Sequence, residues 1–478
     1  MGTNIIGRHK ELTQFTALMK SKQSEFVAVY GRRRVGKTFL IRETFSNTFS
    51  FQLTGLANAN LAQQLVNFSA AINNYYPTNK IWPIPKTWFE AFQQLIGLLE
   101  KTKQSKKIIF LDELPWLDTP RSNFIQALEH FWNSWASARK DILLIVCGSA
   151  ASWMLNVLIN NKGGLHNRIT CKMKIVPFTL AESELYFQSK GIKWNRYQIL
   201  ENYMVMGGIP FYMNAVKKGK SATQAINELC FDEDGLLTSE FENLYASLFR
   251  QSANHILVVK ALSKKAKGLS REEIISYAKI PNGGGTSKVL MELELSGFIR
   301  TYVPFGKQTK DTLYQLIDFY TLFYFKFLHD RKYNDSRLWL NLQDTPLHRN
   351  WAGYAFEMVA MQHVSQLKLA LGISGVQSNI ASWRYHDSDA GAQIDLLIDR
   401  RDQVITICEM KFSINEFVID KSYAAKLRNK IGSFKRVSKT KSAIQLCMLT
   451  TYGVSANNYS LDLVQNDLSM DCLFSITR

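Results

Sequence analysis

Between Glu25 and Arg42 the chain reads EFVAVYGRRRVGKTFLIR. Gly31, Gly36, Lys37 and Thr38 stand at the fixed places of G-x-x-x-x-G-K-[ST], with an apolar run before them and another after. A backbone that curls around a phosphate needs glycine where a Cβ would block close approach, so that N–H groups can point inward. A helix opening near Gly36 adds the positive end of its dipole. Lys37 would reach the β- and γ-phosphates, and the Thr38 hydroxyl would ligate Mg²⁺. The expected nucleotide contacts are Gly31, Arg32, Arg33, Arg34, Val35, Gly36, Lys37, Thr38 and Phe39, with ATP and Mg²⁺ as cofactors.

Hydrolysis needs acids as well as a cradle. The segment KKIIFLDE, Lys106 to Glu113, reads as a buried strand with two carboxylates at its C-terminal end, where open α/β sheets bind ligands. Asp112 is suited to the Mg²⁺ shell, and Glu113 to deprotonating the attacking water. A further buried strand, Asp141–Cys147, ends in GSAAS. There Ser149 would sense the γ-phosphate or position water; small residues at a tight turn are an equal reading. Arg168, in GGLHNRITCKMKIVPFTLAE, would neutralise charge on the γ-phosphate, in cis or across a subunit interface. A surface arginine is the alternative.

A second set of reactive groups lies near the C-terminus. GAQIDLLID (Gly391–Asp399) and QVITICEMK (Gln403–Lys411) read as adjacent strands. Glu409 and Lys411, two residues apart on a strand, share one face. Asp395 and Glu409, with the Met410 carbonyl, would hold Mg²⁺ and Lys411 would orient the nucleophile. Glu357 would complete the site from a helix spanning Trp351–Leu371. Phosphodiester hydrolysis calls for these parts; a structural ion pair at a strand end is the alternative. Lys421–Lys441 follows with eight Lys or Arg residues and no acid, either a solvated helix face or a track for a nucleic-acid backbone.

The elements that must position these groups fit an α/β protein of several domains. At 478 residues the chain exceeds one core. Its 46% hydrophobic and 12% aromatic content excludes wholesale disorder. A net charge of +18 favours a polyanionic partner, nucleic acid or an acidic membrane surface, and the basic run favours the former, DNA first. Six scattered cysteines without a C-x-x-C read as reduced core residues. No charged-then-apolar leader and no apolar run of about 18 residues is present, so a cytoplasmic protein without membrane contact is expected. From Asn254 to Asp318 the pattern is that of a winged helix. Ser270-Arg271-Glu272-Glu273 forms a capping box, PNGGGT a turn, Ser287–Leu295 a second helix with Leu290 and Leu293 inward, and two strands flank Gly306. That helix offers one cation, Lys288, against two acids, Glu292 and Glu294, which weighs against base reading and leaves an intramolecular or protein contact open. Ile317–Leu340 reads as a packed connector helix.

In this order, IIGRHKEL, GRRRVGKT, FLDELPWL, CGSAASWM, NRITCKMKIVPFTLAE and GGIPFYM resemble the motifs of the archaeal-type P-loop ATPases, relatives of the AAA+ and STAND classes. The likeness covers residues 1 to about 345; Asn167 stands where that family often has Gly. It implies a P-loop NTPase doubly wound parallel sheet with a helical lid over 1–245, a winged helix over 246–318 and a connector over 319–346. The order D-to-E-x-K over 347–478 resembles the PD-(D/E)XK nuclease core, an α/β restriction-endonuclease-like domain, with Gln393 where an acid is common. The resemblances together imply an ATPase that couples hydrolysis to a DNA-acting nuclease-like domain. They also allow a STAND-type regulatory switch with a non-catalytic C-terminal module, forming homo-oligomers or meeting a partner protein through the winged helix, or a DNA-binding ATPase without nuclease activity.

Overall fold

A computed structural model describes residues 5–75, 82–160, 163–249, 251–330, 335–385 and 391–476. The chain divides into two compact units, Met1–Pro177 with Ser247–Arg250, and Phe178–Ala246 with Gln251–Arg478.

In the first unit five strands, β1 (Glu25–Gly31), β2 (Phe51–Thr54), β3 (Lys107–Asp112), β4 (Ile142–Gly148) and β5 (Cys171–Ile175), form a parallel sheet in the order β2-β3-β4-β1-β5. β3 and β4 are buried along their whole length, which is why they read as continuous apolar runs rather than alternating ones. On one face Phe26 packs on Trp132 at 4.9 Å, and Phe51 meets Phe68, which in turn meets Trp88 of the helix Trp88–Lys101. On the other, Phe110 meets Phe49 at 5.3 Å, and the chain of rings runs on through Phe45 to Phe15. Helices therefore cover both faces, as a doubly wound sheet requires. The expected strand Phe49–Leu56 is shorter, Phe51–Thr54, because Gly55 turns the chain beneath the Glu113 carbonyl, leaving no room for a Cβ.

The second unit opens with helices Leu180–Ser189, Arg196–Met206 and Ala222–Cys230, capped by Thr179, Asn195 and Ser221. Three more helices, Ala253–Ser263, Arg271–Ala278 and Gly284–Leu295, precede an antiparallel pair, β6 (Ile299–Tyr302) and β7 (Leu313–Leu316). Ser270 and Glu273 cap each other as the sequence indicates, and Leu290 and Leu293 are buried. The third helix starts three residues before Ser287, absorbing Gly284, Gly285 and Thr286; the Thr286 hydroxyl donates to the Pro281 carbonyl at 2.6 Å and ties down that first turn.

The connector is not one helix. Phe319–Phe323 widens into a π-helical turn, Tyr324–Leu328, and a separate helix covers Leu338–Leu342, while residues 331–334 lie outside the described residues. The helix expected from Trp351 begins at Pro346, capped by Thr345, and stops at Gln362 before a new one, Val364–Ala370. A threonine followed by proline is a helix-start signal that the apolar pattern overshadowed.

Five strands close the chain: β8 (Ser378–Tyr385), β9 (Ala392–Arg400), β10 (Val404–Lys411), β11 (Ala443–Thr450) and β12 (Asn466–Ser469), in the order β12-β11-β10-β9-β8. This sheet is mixed. β8, β9 and β10 are antiparallel neighbours, whereas β10, β11 and β12 run parallel. The helix Lys421–Ser438 makes the crossover from β10 to β11, the long connection that a parallel pair requires. All six cysteines are unbridged. Among the described residues no helix is long and apolar enough to cross a membrane.

Candidate functional site

The loop between β1 and the helix Lys37–Thr44 is a backbone cradle. Gly31 has φ +145° and a Cβ there would lie 2.1 Å from the Ile175 carbonyl oxygen. Gly36 has φ +85° in open space, so its requirement is conformational rather than steric. Arg34 is also left-handed, at φ +69°. Arg8, from the box before the loop, is buried and donates to the Val35 carbonyl at 3.2 Å. Lys37 is folded back on the cradle, its ammonium donating to the carbonyls of Gly31 at 3.1 Å and Arg32 at 2.7 Å. Burial pulls its pKa below the ordinary lysine value. A buried ammonium held by two neutral carbonyls still needs an anion.

β4 separates the cradle strand from the carboxylate strand β3, and all three end at the same edge. There the Thr38 hydroxyl donates to Asp112 Oδ2 at 2.9 Å. Asp112 Oδ1 accepts from the Glu113 N–H at 3.0 Å, and Asp112 is almost fully buried. Glu113 is left-handed, φ +47°, and its carboxylate accepts from Ser149 at the end of β4. The Cys147 thiol is pushed up chiefly by burial and by Asp112, so it stays protonated. A hydroxyl and a buried carboxylate converging on one point are a donor set suited to Mg²⁺. The site residues expected at this edge are thus together, with one exception.

That exception is Arg168. It is exposed in the turn before β5. Thr170 N–H donates to the Phe26 carbonyl, and Cys171 pairs with Val27 near the start of β1. Arg168 therefore lies at the end of the parallel sheet opposite the cradle. Four residues of strand, about 13 Å at 3.3 Å each, already separate Val27 from Gly31. This placement speaks against a role in cis and leaves the other two readings, a role across a subunit interface and a surface arginine.

The C-terminal set converges in the second unit. Glu409 and Lys411 are on one face of β10, Nζ to Oε1 3.2 Å. Glu409 also receives Lys430 on its other oxygen and the Tyr423 hydroxyl at 2.7 Å. Burial works to raise the Glu409 pKa, but Lys430, then Lys411, hold it below the usual carboxylate range. Asp395 pairs with Lys267 at 3.2 Å and accepts from Gln393. Glu357 is pushed up to about 8 by burial and then by Asp395. Acidic groups crowd here, yet side-chain cations already neutralise two of them. Among the described residues no group of three or more His, Cys, Asp or Glu side chains is arranged to hold a metal ion. The expected Asp395 and Glu409 metal pair therefore fits only after Lys267 and Lys430 move away.

Sequence reasoning missed Lys267, Lys430 and Tyr423. Lys430 was counted within a basic run, but Tyr423 and Lys430 are seven apart, two helical turns on one face, and that face meets Glu409.

Residues 5–216 match the model of a family described as an ATPase domain predominantly from Archaea. The chain thus carries a P-loop ATPase domain, a binder and hydrolyser of ATP. An uncharacterized protein of Methanocaldococcus jannaschii is 24% identical over 421 residues, 85% of this chain and 87% of that one. Among solved structures, a Walker-type ATPase of Pyrococcus abyssi superposes with a TM-score of 0.53 at 16% identity, covering 68% of this chain and 97% of that one. At that distance the likeness is one of fold.

Proposed function

We propose that this protein is an ATPase whose nucleotide state controls a nuclease-like domain acting on nucleic acid, DNA first. On this reading Lys37 leaves the carbonyls of Gly31 and Arg32 for the β- and γ-phosphates of ATP, exchanging neutral partners for charged ones. The amides of Gly31 to Phe39 line the phosphate chain. Thr38 and Asp112 would hold Mg²⁺, which supplies charge neutralisation on the phosphates when bound. Glu113 takes the proton of the attacking water, and Ser149 holds that carboxylate in line. Arg168 would serve a neighbouring copy.

The observation that carries the second half is Lys411 beside Glu409 on β10, with Asp395 and Glu357 near enough to raise the Glu357 pKa. Asp395 and Glu409 would hold Mg²⁺, which would polarise a phosphodiester, and Lys411 would orient the nucleophile. Residues 246–318 are read as the winged helix, after an ATPase with helical lid over 1–245 and before a connector over 319–346 and a nuclease-like domain over 347–478. Incubating the protein with single- and double-stranded DNA and RNA, with Mg²⁺ or Mn²⁺, tests this. Cleavage lost in Lys411→Ala and Asp395→Ala supports it; no cleavage of any substrate removes the catalytic claim.

A second reading has its own support. Lys267, Lys430 and Tyr423 already satisfy the carboxylates, as in a domain that binds without cutting. The protein would then be a regulatory switch driven by ATP, and ATP-dependent oligomerisation without cleavage would favour it.

A further inference from the structure

We infer that a cavity in the second unit receives one nucleotide unit by its phosphate, an inference that rests on the nucleic-acid reading of the neighbouring carboxylates. The cavity encloses about 450 Å³ between β6–β7, the helix Pro346–Gln362 and strands β8 and β9. Pockets of about 300–1,000 Å³ hold single small ligands; this one is too small for a duplex.

Its walls carry four cations, Lys267, Arg300, Lys307 and Arg384, against two acids, Glu357 and Asp395. Lys267 answers Asp395. Arg300 is different. Its Nε donates to Gln315 Oε1 at 2.8 Å and its Nη2 to the Met361 sulfur at 2.9 Å, and its guanidinium lies over the Tyr302 ring at 5.1 Å. None of these partners is an anion, and a thioether is a weak acceptor. A largely buried guanidinium without an acid keeps both its charge and its planar fork for a ligand, and phosphate is the anion that fork matches.

The rest of the lining suits the remainder of a nucleotide. Tyr302 and Tyr385, both partly exposed, line the cavity, while Trp383 behind them is buried against Phe434; an open aromatic face takes bases of any sequence. Glu357 and Asp395 form part of the same wall, so a phosphate on Arg300 sets the attached nucleotide beside the candidate cleavage groups. The occupant is a nucleoside monophosphate unit, supplied either as a phosphorylated strand end or as a free nucleotide.

Equilibrium dialysis on full-length Lys37→Ala protein in EDTA tests this, because the first site is silenced and no cleavage is needed. The probes are labelled dAMP, a 5′-phosphorylated thymidine dinucleotide and its 5′-hydroxyl counterpart. The phosphorylated probes should bind and the hydroxyl one should not. A dinucleotide preference identifies a strand end and equal binding a free nucleotide. Arg300→Met should weaken binding about tenfold or more, with Arg300→Lys intermediate. Arg384→Gln, at a half-buried position, should weaken it a few-fold and serves if Arg300→Met fails to fold. Absence of binding by either phosphorylated probe, or unchanged affinity in folded Arg300→Met and Arg384→Gln proteins, overturns the inference. Because binding is read rather than cleavage, an inactive nuclease site leaves the outcome interpretable.

Discussion

The Ser149 hydroxyl lies 3.0 and 2.9 Å from the two carboxylate oxygens of Glu113, sharing its single proton between them. Glu113 comes from β3 and Ser149 from β4, so the contact ties the proposed base to the strand that separates it from the phosphate cradle. Removing the hydroxyl frees the carboxylate to rotate. Ser149→Ala should therefore lower kcat for ATP hydrolysis roughly three- to tenfold with little change in ATP affinity, while Glu113→Gln should lower it about 10²–10⁴-fold. A raised KM with kcat unchanged would show Ser149 acting in binding instead.

The cradle is also a structural joint. At Gly31 a Cβ would lie 2.1 Å from the Ile175 carbonyl of the neighbouring strand, with φ at +145°. Gly31→Ala should destabilise the first unit by at least about 2 kcal/mol, through backbone strain and displacement of β5. Thermal denaturation followed by a probe in that unit measures this. Gly36→Ala, in open space, should cost about 1 kcal/mol for its φ alone.

Acid should loosen the second unit through His363. Its Nε2 accepts from the Leu180 N–H at 3.1 Å, and its Nδ1 lies 2.8 Å from the Val359 carbonyl and donates to it, so the ring is neutral. Burial lowers its pKa to about 4. The unfolded chain, with a histidine near 6.5, takes up the proton first. The stabilisation is thus fully present above about pH 6.5 and is lost as pH falls toward 4, amounting to about 3 kcal/mol. Urea unfolding midpoints across pH 7.5 to 4 should fall in that window for the wild type. In His363→Gln the slope should flatten, although the protein is weaker throughout.

On the proposed nuclease reading, Lys430 occupies the place a divalent cation would take on Glu409. Lys430→Ala leaves Glu409 buried with Lys411 and Tyr423 alone, and stability should drop by about 3 kcal/mol. The same substitution should tighten Mg²⁺ binding, seen as a larger rise in Tm on adding the metal. A thermal response to Mg²⁺ identical to wild type would separate Glu409 from any metal site.

What could be read in advance followed from sequence distance. The cradle packs its chemistry into Gly31–Thr38, and Asp112 and Glu113 announce themselves by ending an apolar strand. Arg168 depended on the register of β5 against β1, a pairing between residues far apart in sequence. Strand β8 was missed because SNIASWRY alternates poorly and its register slips between Ala381 and Trp383. Lys267 and Lys430 reach Asp395 and Glu409 across 128 and 21 residues of chain; an isolated lysine carries no mark of its partner.

The most direct measurement of coupling is a time course of DNA cleavage with Mg²⁺ and ATP, ADP or no nucleotide, on wild type, Lys37→Ala and Lys411→Ala. Coupling predicts that cleavage by the wild type changes at least several-fold with nucleotide, that Lys37→Ala loses this dependence, and that Lys411→Ala abolishes cleavage while ATP hydrolysis persists. Cleavage identical in all three nucleotide conditions, or undiminished in Lys411→Ala, would contradict it.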